Sequence, residues 1–450
     1  MRPTVTKLLL AFVLVAMMIS SVYALAAPVP PPAPAALLWA DPTVATNGIA
    51  LSRDGQYVAV GTDGAVMFYG RSSSTPLWIY SSVGTDFHSV AISADGNYVA
   101  AGTLGKVYFW ANARSLAGNP SPTWTSRQVV GDYFERRCLT ISADGNYVAA
   151  CGTGMSVFYW AGAAGKSGSD IDTTWVWSLA FKVEAMAVSD DGNHVAAAGY
   201  NPGTPNTGVL GYWNDATHLT GHPAVMPTWR GQETGETFVD VAISNDGNYV
   251  AAASGGLSTV YYWAGALTRS TQTESHTWAG NAGVPFSSID MSSSGDSVIA
   301  GGEDGVYFWS GARALTGTPT QTWKYSTTNP AYDVAIDSAG DYMAACTASF
   351  ATLYFFDNTG SVKWSYEIDA DKLSISSDGA TLAVGTPALG TALLMSTGFP
   401  MQVTPSGPVG PVGGFMEPVN KLAVFAPYLA LFGVMAVVVV AVAPWKKRES

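Results

Sequence analysis

The amino-acid sequence predicts an all-β protein built from one repeated unit, and its composition gives the first reason. Charged residues are only 12% of the 450 residues, whereas the chain contains 48 Gly and 15 Trp. Few charges together with many glycines and aromatic side chains favour short strands and tight turns over helices. Hydrophobic residues make up 48% of the chain, which is ample material for a folded core.

The second reason is internal repetition, which we searched for before any other pattern. The segment VAISADGNYVAAGTLGKVYFW, Val90 to Trp110, returns as close copies from Leu139 and Val241. Weaker copies begin near Ile49, Ala185, Ile289, Val334 and Leu373. The turn glycines of the eight units are Gly55, Gly96, Gly145, Gly192, Gly247, Gly295, Gly340 and Gly379. A tryptophan also recurs eight times at a similar spacing, at Trp39, Trp78, Trp124, Trp175, Trp229, Trp278, Trp323 and Trp364.

Each unit contains four strand signals. VAIS is a short β-branched strand, and the Asp-Gly that follows predicts a tight hairpin turn because glycine accepts positive φ. NYVAAGT and KVYFW are the second and third strands, and a loop leads to a fourth strand around the Trp of PTW. Four strands per unit without a helical period are typical of β-propeller blades.

The phase of the repeat predicts how the ring closes. Eight sets of the first three strands run from about 47 to 396, but no fourth strand follows the last set. The segment ALLWAD around Trp39 supplies a strand of that kind at the other end of the chain. We therefore predict an eight-bladed β-propeller over residues 35–397, with the N-terminal strand completing the last blade and hiding its edge.

The two ends of the chain predict export and a membrane anchor. Residues 1–26 have two basic residues, an apolar run and small residues at the end, which is typical of a secretory signal; an uncleaved anchor is the alternative. Residues 398–421 are a Pro/Gly-rich stalk. Residues 422–443 are apolar over a length that spans a bilayer, and residues 444–450 form a basic tail that stays in the cytoplasm. A cleaved C-terminal sorting signal would look the same.

The repeat resembles known propeller families. VAISxDGNYVAAGTxGxVYFW is similar to the WD-repeat unit, although the Gly-His and most of the Asp residues of that family are missing. The segment LYFFDNTGSVKWSYEID, Leu353 to Asp369, resembles a repeat of the quinoprotein propellers, which bind pyrroloquinoline quinone. In that family the outer-strand Trp docks one blade onto the next. The PVGG, PVNK and PY elements before the C-terminal span resemble the tails of archaeal cell-surface proteins.

Charge and motifs limit the chemistry. A net charge of −12 argues against a nucleic-acid partner, which requires a basic face. We interpret the repeated Asp-Gly as turn chemistry and not as a calcium loop, which would need six to eight oxygens. Asp215, His218 and His222 lie close together, but we interpret them as surface residues and predict no metal site and no cofactor.

Cys138 and Cys151 lie at equal distances from the turn Asp144-Gly145. If the turn has two residues, they face each other as a non-hydrogen-bonded pair within disulfide range, and export permits oxidation. The alternative is two buried thiols, since Cys346 takes the place of Cys151 in another blade without a partner.

One pair of loops departs from the repeat and is our candidate binding surface. The loop before the third blade is long and, with the extended loop 200–208 of the fourth blade, is expected on the same propeller face. The candidate residues are Arg127, Asp132, Tyr133, Phe134, Glu135, Arg136, Arg137 and Tyr200. Aromatic and arginine side chains together are typical of binding sites, and the two adjacent arginines are expected to attract an acidic partner.

No catalytic set is recognisable, so the first hypothesis is a non-enzymatic binding or scaffold module for protein or glycan partners at the cell surface. The quinoprotein resemblance implies the second hypothesis, a membrane-tethered oxidoreductase. A polysaccharide-cleaving enzyme is the third, because in a propeller a pair of catalytic carboxylates would come from different blades.

Overall fold

The computed structural model describes residues 36–129, 134, 137–152, 155–178, 181–221, 225–347, 352–386 and 390–398. The chain divides into two compact units, Met1–Pro400 and Met401–Ser450, and every described residue belongs to the first. Among the described residues, no helix has the length and apolar character needed to cross a membrane. The predicted signal, stalk, C-terminal span and basic tail lie outside the described residues.

The strands form eight sheets, which confirms the predicted eight-bladed propeller. The N-terminal strand is β1 (Ala36–Asp41). The first blade consists of β2 (Gly48–Leu51), β3 (Tyr57–Gly70) and β4 (Trp78–Asp86), where β3 continues through a hairpin bend at Gly64. The second blade consists of β5 (Ser89–Ile92), β6 (Tyr98–Gly102), β7 (Val107–Ala111) and β8 (Trp124–Ser126). The third has β9 (Leu139–Ile141), β10 (Tyr147–Gly152), β11 (Ser156–Ala161) and β13 (Trp175–Ser178), whereas β12 (Gly168–Ile171), between β11 and β13 in the chain, is a fifth strand of the second blade.

The remaining blades repeat the pattern. The fourth consists of β14 (Lys182–Val188), β15 (Val195–Asn201), β16 (Thr207–Trp213) and β17 (Trp229–Thr234). The fifth consists of β18 (Phe238–Ile243), β19 (Tyr249–Ser254), β20 (Thr259–Ala264) and β21 (Trp278–Asn281), and the sixth of β22 (Phe286–Met291), β23 (Ser297–Gly302), β24 (Gly305–Ser310) and β25 (Trp323–Ser326). The seventh consists of β26 (Ala331–Ile336), β27 (Tyr342–Thr347), β28 (Thr352–Asp357) and β29 (Val362–Glu367). The eighth contains β30 (Lys372–Ile375), β31 (Thr381–Thr386) and β32 (Thr391–Ser396). Single 3₁₀ turns occur at Ala113–Ser115, Ala163–Gly165, Ala266–Thr268 and Ala312–Ala314.

The first strand of every blade turns back through four residues, and not through the two that Asp-Gly alone predicts. In the third blade Ser142 pairs with Tyr147, and the Ser142 hydroxyl accepts the Tyr147 N–H. The Asp144 carboxylate accepts the hydroxyl of Ser142 and the N–H of Asn146, and Gly145 takes a φ of 73°. The repeated Asp is therefore a turn residue whose acceptor capacity is used within the turn.

These turns are joined to one another in a closed circle. The residue after each turn-opening Ser or Asp donates its backbone N–H to the carbonyl of its counterpart in the next blade, over distances of 2.8–3.1 Å. The circle runs through Arg53, Ala94, Ala143, Asp190, Asn245, Ser293, Ser338 and Ser377, and Ser377 donates back to Arg53. The eight turns thus satisfy one another's backbone groups around the ring.

The repeated tryptophans attach each blade to its neighbour. Trp124 at the start of β8 is buried, stacks on Phe109, and donates its Nε1–H to the carbonyl of Ala163 in the next blade at 2.9 Å. The same bond from Trp to the following blade occurs at Trp78, Trp175, Trp229, Trp278, Trp323 and Trp364. This docking role was expected from the quinoprotein resemblance, and the geometry confirms it.

The N-terminal strand closes the ring as predicted. β1 pairs antiparallel with β32, from Ala36 opposite Ser396 to Asp41 opposite Ala392, and completes the eighth sheet. We name the end of the ring that carries the first-to-second-strand turns the turn face, and the opposite end the loop face. Because β32 ends beside the turn of its own blade, both Ala36 and Gly398 lie on the turn face. The loop face therefore carries neither end of the described ring.

Candidate functional site

A polar cavity opens at the loop-face end of the central channel. Its volume is about 230 Å³, and the innermost strands of seven blades contribute to its walls. Charged side chains from four blades line it: Asp240, Asp333 and Lys372 on innermost strands, and Arg137 just before β9. We consider this cavity and the loop tips around it the candidate functional site.

Arg137 crosses the channel from the third blade to the fifth, sixth and seventh. Its Nε lies 3.3 Å from Asp240 Oδ2, and one terminal nitrogen lies 3.0 Å from Asp333 Oδ1. The other donates to the carbonyl of Ser287 at 2.6 Å. Only 22% of the side chain is exposed. This corrects the expectation of a solvent-exposed loop cation, because two carboxylates already compensate the charge that was to attract an acidic partner.

Carboxylates on the innermost strands bond the blades to one another. Asp240 Oδ2 accepts the N–H of Ile289 in the next blade at 2.9 Å, and Asp333 Oδ2 accepts the N–H of Leu373 at the same distance. Burial raises the pKa of Asp240, and the nearby Arg137 guanidinium opposes that rise. The burial of both groups is tolerated because charge pairing and backbone N–H donors replace the lost water.

Asp290 occupies the turn-face half of the channel. It accepts the N–H of Ile336 in the next blade at 3.0 Å and that of Met291 at 2.8 Å. Burial raises its pKa to about 7, with the charges of Asp240 and Asp333 adding to the effect. It lines a second cavity, of about 200 Å³, beside Arg53. Arg53 forms a two-pronged ion pair with Asp190 of the fourth blade.

The predicted binding residues divide between several places. Arg127 is exposed at the end of β8 and pairs with Asp172, at 3.0 Å, rather than with the channel. Phe134 is fully buried and packs edge-on against Phe158, so it offers no apolar area to a partner, contrary to expectation. Tyr200 lies under the ammonium of Lys182, 5.8 Å from the ring centre. Asp132, Tyr133, Glu135 and Arg136 lie outside the described residues.

Cys138 and Cys151 form a disulfide, which decides between the two interpretations of this pair. Their Cα atoms are 4.7 Å apart, and they occupy facing positions as the count from the turn predicts. The Cys151 N–H donates to the Cys138 carbonyl at 2.9 Å, so the pair is hydrogen-bonded and not of the non-hydrogen-bonded kind. The reason is the four-residue turn, which shifts the alternation of the ladder by one step. Cys346 is a buried thiol.

The histidine cluster gains only a local contact. His218 Nδ1 lies 2.6 Å from Asp215 Oδ1, and both side chains are well exposed, while His222 lies outside the described residues. Within the described part of the chain, no three His, Cys, Asp or Glu side chains come together as metal ligands would.

Sequence reasoning missed Asp240, Asp333 and Lys372, although a signal was present. Aligning the units on the residue that opens each turn places these three at the same position, four residues earlier. The other blades have Gly48, Ser89, Cys138, Ala185 and Ser288 there. A charged residue at this position could have been recognised in the aligned repeats, because the other units have small uncharged residues there and most of the strand is apolar.

The comparisons with known proteins show the fold. No protein-family model matches the chain, and no curated protein sequence matches it. Among solved structures, the chain is similar to the C-terminal WD40 domain of Sif2, with a TM-score of 0.61 over 81% of this chain and 98% of that domain. It is similar to Chaetomium thermophilum Sqt1, solved with the N-terminus of ribosomal protein L10 bound. The TM-score is 0.62, over 79% of this chain and 97% of that chain. It is also similar to BamB from Moraxella catarrhalis, with a TM-score of 0.55 over 80% of this chain and 99% of that chain.

Sequence identity is 14% in each of these three comparisons, so the likeness concerns the fold alone. The chain is a β-propeller of the architecture seen in WD40 domains and BamB. Activity and partners have to be argued from its own residues.

Proposed function

We propose that this protein is a non-enzymatic binding or scaffold module whose loop face holds a protein or glycan partner at the cell surface. The observation that carries the proposal is a set of exposed apolar side chains at the loop tips of that face. They are Val83, Leu104, Met155, Leu257 and Tyr332, from five different blades, and each is at least 37% exposed. Apolar tips around a polar channel mouth match the composition of protein interfaces.

The arrangement of the ring supports this choice of face. The turn face carries both ends of the described ring and the closed circle of backbone hydrogen bonds. The loop face carries the connection between β8 and β9, which is much longer than the other fourth-to-first-strand connections and so gives an asymmetric partner something unique to recognise. Sqt1, one of the similar structures, was solved with the N-terminal segment of a ribosomal protein bound. Binding of a protein segment is thus within the capacity of the fold.

The test compares loop-face and turn-face variants in capture experiments on cell-surface extract. We expect Leu104→Ser with Leu257→Ser to weaken partner capture at least tenfold, because two apolar contacts are lost. The matched control is Leu77→Ser with Met226→Ser, which changes two similarly exposed residues in third-to-fourth-strand connections at the turn face. Equal loss in both double variants, with circular dichroism unchanged, would contradict the assignment of the face.

The surface location has a separate test. The predicted signal and C-terminal span imply that the propeller is outside the cell and that residues 446–448 are inside. Protease treatment of intact cells is therefore expected to release a soluble propeller. If the propeller is cleaved only after lysis, the proposed orientation is wrong. A membrane-tethered oxidoreductase remains the alternative, and a quinone chromophore with dye-linked oxidation activity in the purified protein would favour it.

A further inference from the structure

The outer edges of the first five blades are covered by the next blade. The backbone N–H of the residue after the repeated Trp donates to the connection between the third and fourth strands of that blade. Ile79 donates in this way to Gly118, and Ala279 donates to Gly317, both at 2.9 Å. In the second blade the cover is a full strand, since β12 pairs in parallel with β8. The corresponding donors of the third and fourth blades are Val176 and Arg230.

The outer edges of the last three blades lack this cover. Lys324, Ser365 and Ala40 stand where the other blades place the donor. Within the described part of the chain, no connection of a neighbouring blade accepts their N–H groups. The exposure of the repeated Trp agrees, because Trp323 and Trp364 are only half-buried, whereas those of the first five blades are at most 1% exposed.

Short connections account for two of the open edges. The seventh blade joins β28 to β29 through residues 358–361, and the first blade joins β3 to β4 through residues 71–77. The corresponding connection of the second blade has residues 112–123, which is long enough to reach across the preceding outer strand. For β29 the covering connection would be the chain beyond residue 398, which lies outside the described residues.

The sequence of β29, VKWSYE, is complementary to itself when two copies run antiparallel. Ser365 holds the place of the outward donors, and because backbone groups alternate along a strand, Lys363 and Glu367 present theirs at the same edge. If the pair is centred on Ser365, Lys363 of each copy lies opposite Glu367 of the other. Oppositely charged residues directly across two strands stabilise the pairing. Lys363 already pairs with Asp357 of its own blade, but an ammonium has three donors and can meet a second carboxylate.

The other two open edges lack this complementarity. Centred on the same position, β25 would place Lys324 opposite Lys324 of its copy, and like charges directly opposite are destabilising. β1 contains a bulge between Leu37 and Trp39. Centred on Ala40, it would place its one charged residue, Asp41, opposite Trp39. Charge and register therefore both favour β29.

We propose that two copies of this chain associate through the outer edges of their seventh blades, where β29 pairs antiparallel with its counterpart about Ser365. The facing residues at positions 363, 365 and 367 exchange backbone hydrogen bonds. The interface has two-fold symmetry, so it closes as a dimer and does not extend into a fibre. Tyr366, which is 44% exposed, lies opposite Trp364 of the second copy and gains an aromatic partner. This association uses the outer rim and does not depend on the partner proposed for the loop face.

The test is a site-specific cross-link of the full chain, purified in detergent and treated with copper–phenanthroline as oxidant. Facing residues of a hydrogen-bonded pair have Cα atoms about 5.5 Å apart, which is within disulfide range. Ser365→Cys is therefore expected to give at least fivefold more covalent dimer on a non-reducing gel than the matched control Ser326→Cys. Ser326 is likewise exposed on an uncovered outer strand, in the sixth blade. The unchanged chain should give no dimer, because Cys138 and Cys151 are joined and Cys346 is buried.

Two results of this cross-link would overturn the proposal. Equal dimer yields from Ser365→Cys and Ser326→Cys would show random collision. No dimer from Ser365→Cys would show that the edge is not an interface between copies, which is also the result if the chain beyond residue 398 covers it.

A charge reversal tests the register. In the Ser365→Cys background, Glu367→Lys is expected to lower the dimer yield at least fivefold, because it places two lysines opposite each other at both ends of the pair. The matched control is Glu303→Lys, which reverses another exposed glutamate, in the connection between β23 and β24. It should change the yield less than twofold. Equal reduction by both variants, with circular dichroism unchanged, would contradict the pairing of Lys363 with Glu367.

Discussion

Arg137 is the side chain that connects most blades across the channel, and its removal would leave two buried carboxylates without their cation. We therefore expect Arg137→Ala to lower the free energy of unfolding by about 3–5 kcal/mol. The loss should be smaller at pH 5 than at pH 8, because burial raises the pKa of Asp240 and protonation of Asp240 relieves its repulsion with Asp333. Urea denaturation at the two pH values measures this.

Arg127→Ala is the control for this prediction, since it removes an exposed arginine that also pairs with an aspartate. Exposed pairs contribute about 0–1 kcal/mol, so only a small loss is expected. Equal losses in the two variants would show that the channel network is not what makes Arg137 important.

Asp290 makes stability depend on pH in an unusual direction. Burial raises its pKa to about 7 in the folded state, well above the ordinary value of 3.8. Between these values the folded protein retains a proton that the unfolded chain has released, so its contribution to stability falls as pH rises through this range. Comparing the wild type with Asp290→Asn by urea denaturation from pH 4 to pH 8 should show a difference that changes with pH. Parallel curves would refute the shifted pKa.

In seven blades an indole hydrogen bond joins the outer strand to the next blade, and the eighth blade provides a natural control. Trp124→Phe keeps an aromatic ring but removes one of the two donors to the Ala163 carbonyl, which keeps the Lys166 N–H. We expect a loss of about 0.5–1.5 kcal/mol beyond the cost of the smaller ring. Trp39 is also buried, but its Nε1 has no partner among the described residues, so Trp39→Phe reports the ring effect alone. Thermal unfolding of both variants measures the two losses of stability. Equal losses would contradict the role of the hydrogen bond.

Strand edges are managed by neighbouring connections. β12 runs parallel to β8 as a fifth strand, and single parallel bridges join Trp78 to Gly118 and Trp278 to Gly317. Each covers the outer edge of one blade with the loop of the next. Covered edges are less available for pairing with another molecule.

Closure by the N-terminal strand makes the whole ring one cooperative unit. Deleting residues 27–41 would expose the β32 edge and remove Trp39 from the core. We expect at least about 3 kcal/mol of lost stability, together with aggregation through the open edge. Deleting only residues 27–35 preserves the paired strand and serves as the control. A synthetic peptide of residues 36–42 should partly restore the stability; a shortened chain that unfolds like the wild type would contradict the closure argument.

Repetition in the sequence was sufficient to predict the eight blades, the four strands of each unit and the closing strand, because each depends on local pattern and counting. The contacts of the repeated tryptophans were predicted from a family resemblance. The facing positions of Cys138 and Cys151 were predicted from their equal distances to the turn. Whether the sulfurs are bonded, and the four-residue turn, required the backbone path. Arg137 was predicted to be significant, but its partners lie about 100 and 200 residues further along the chain, and no local pattern predicts such contacts.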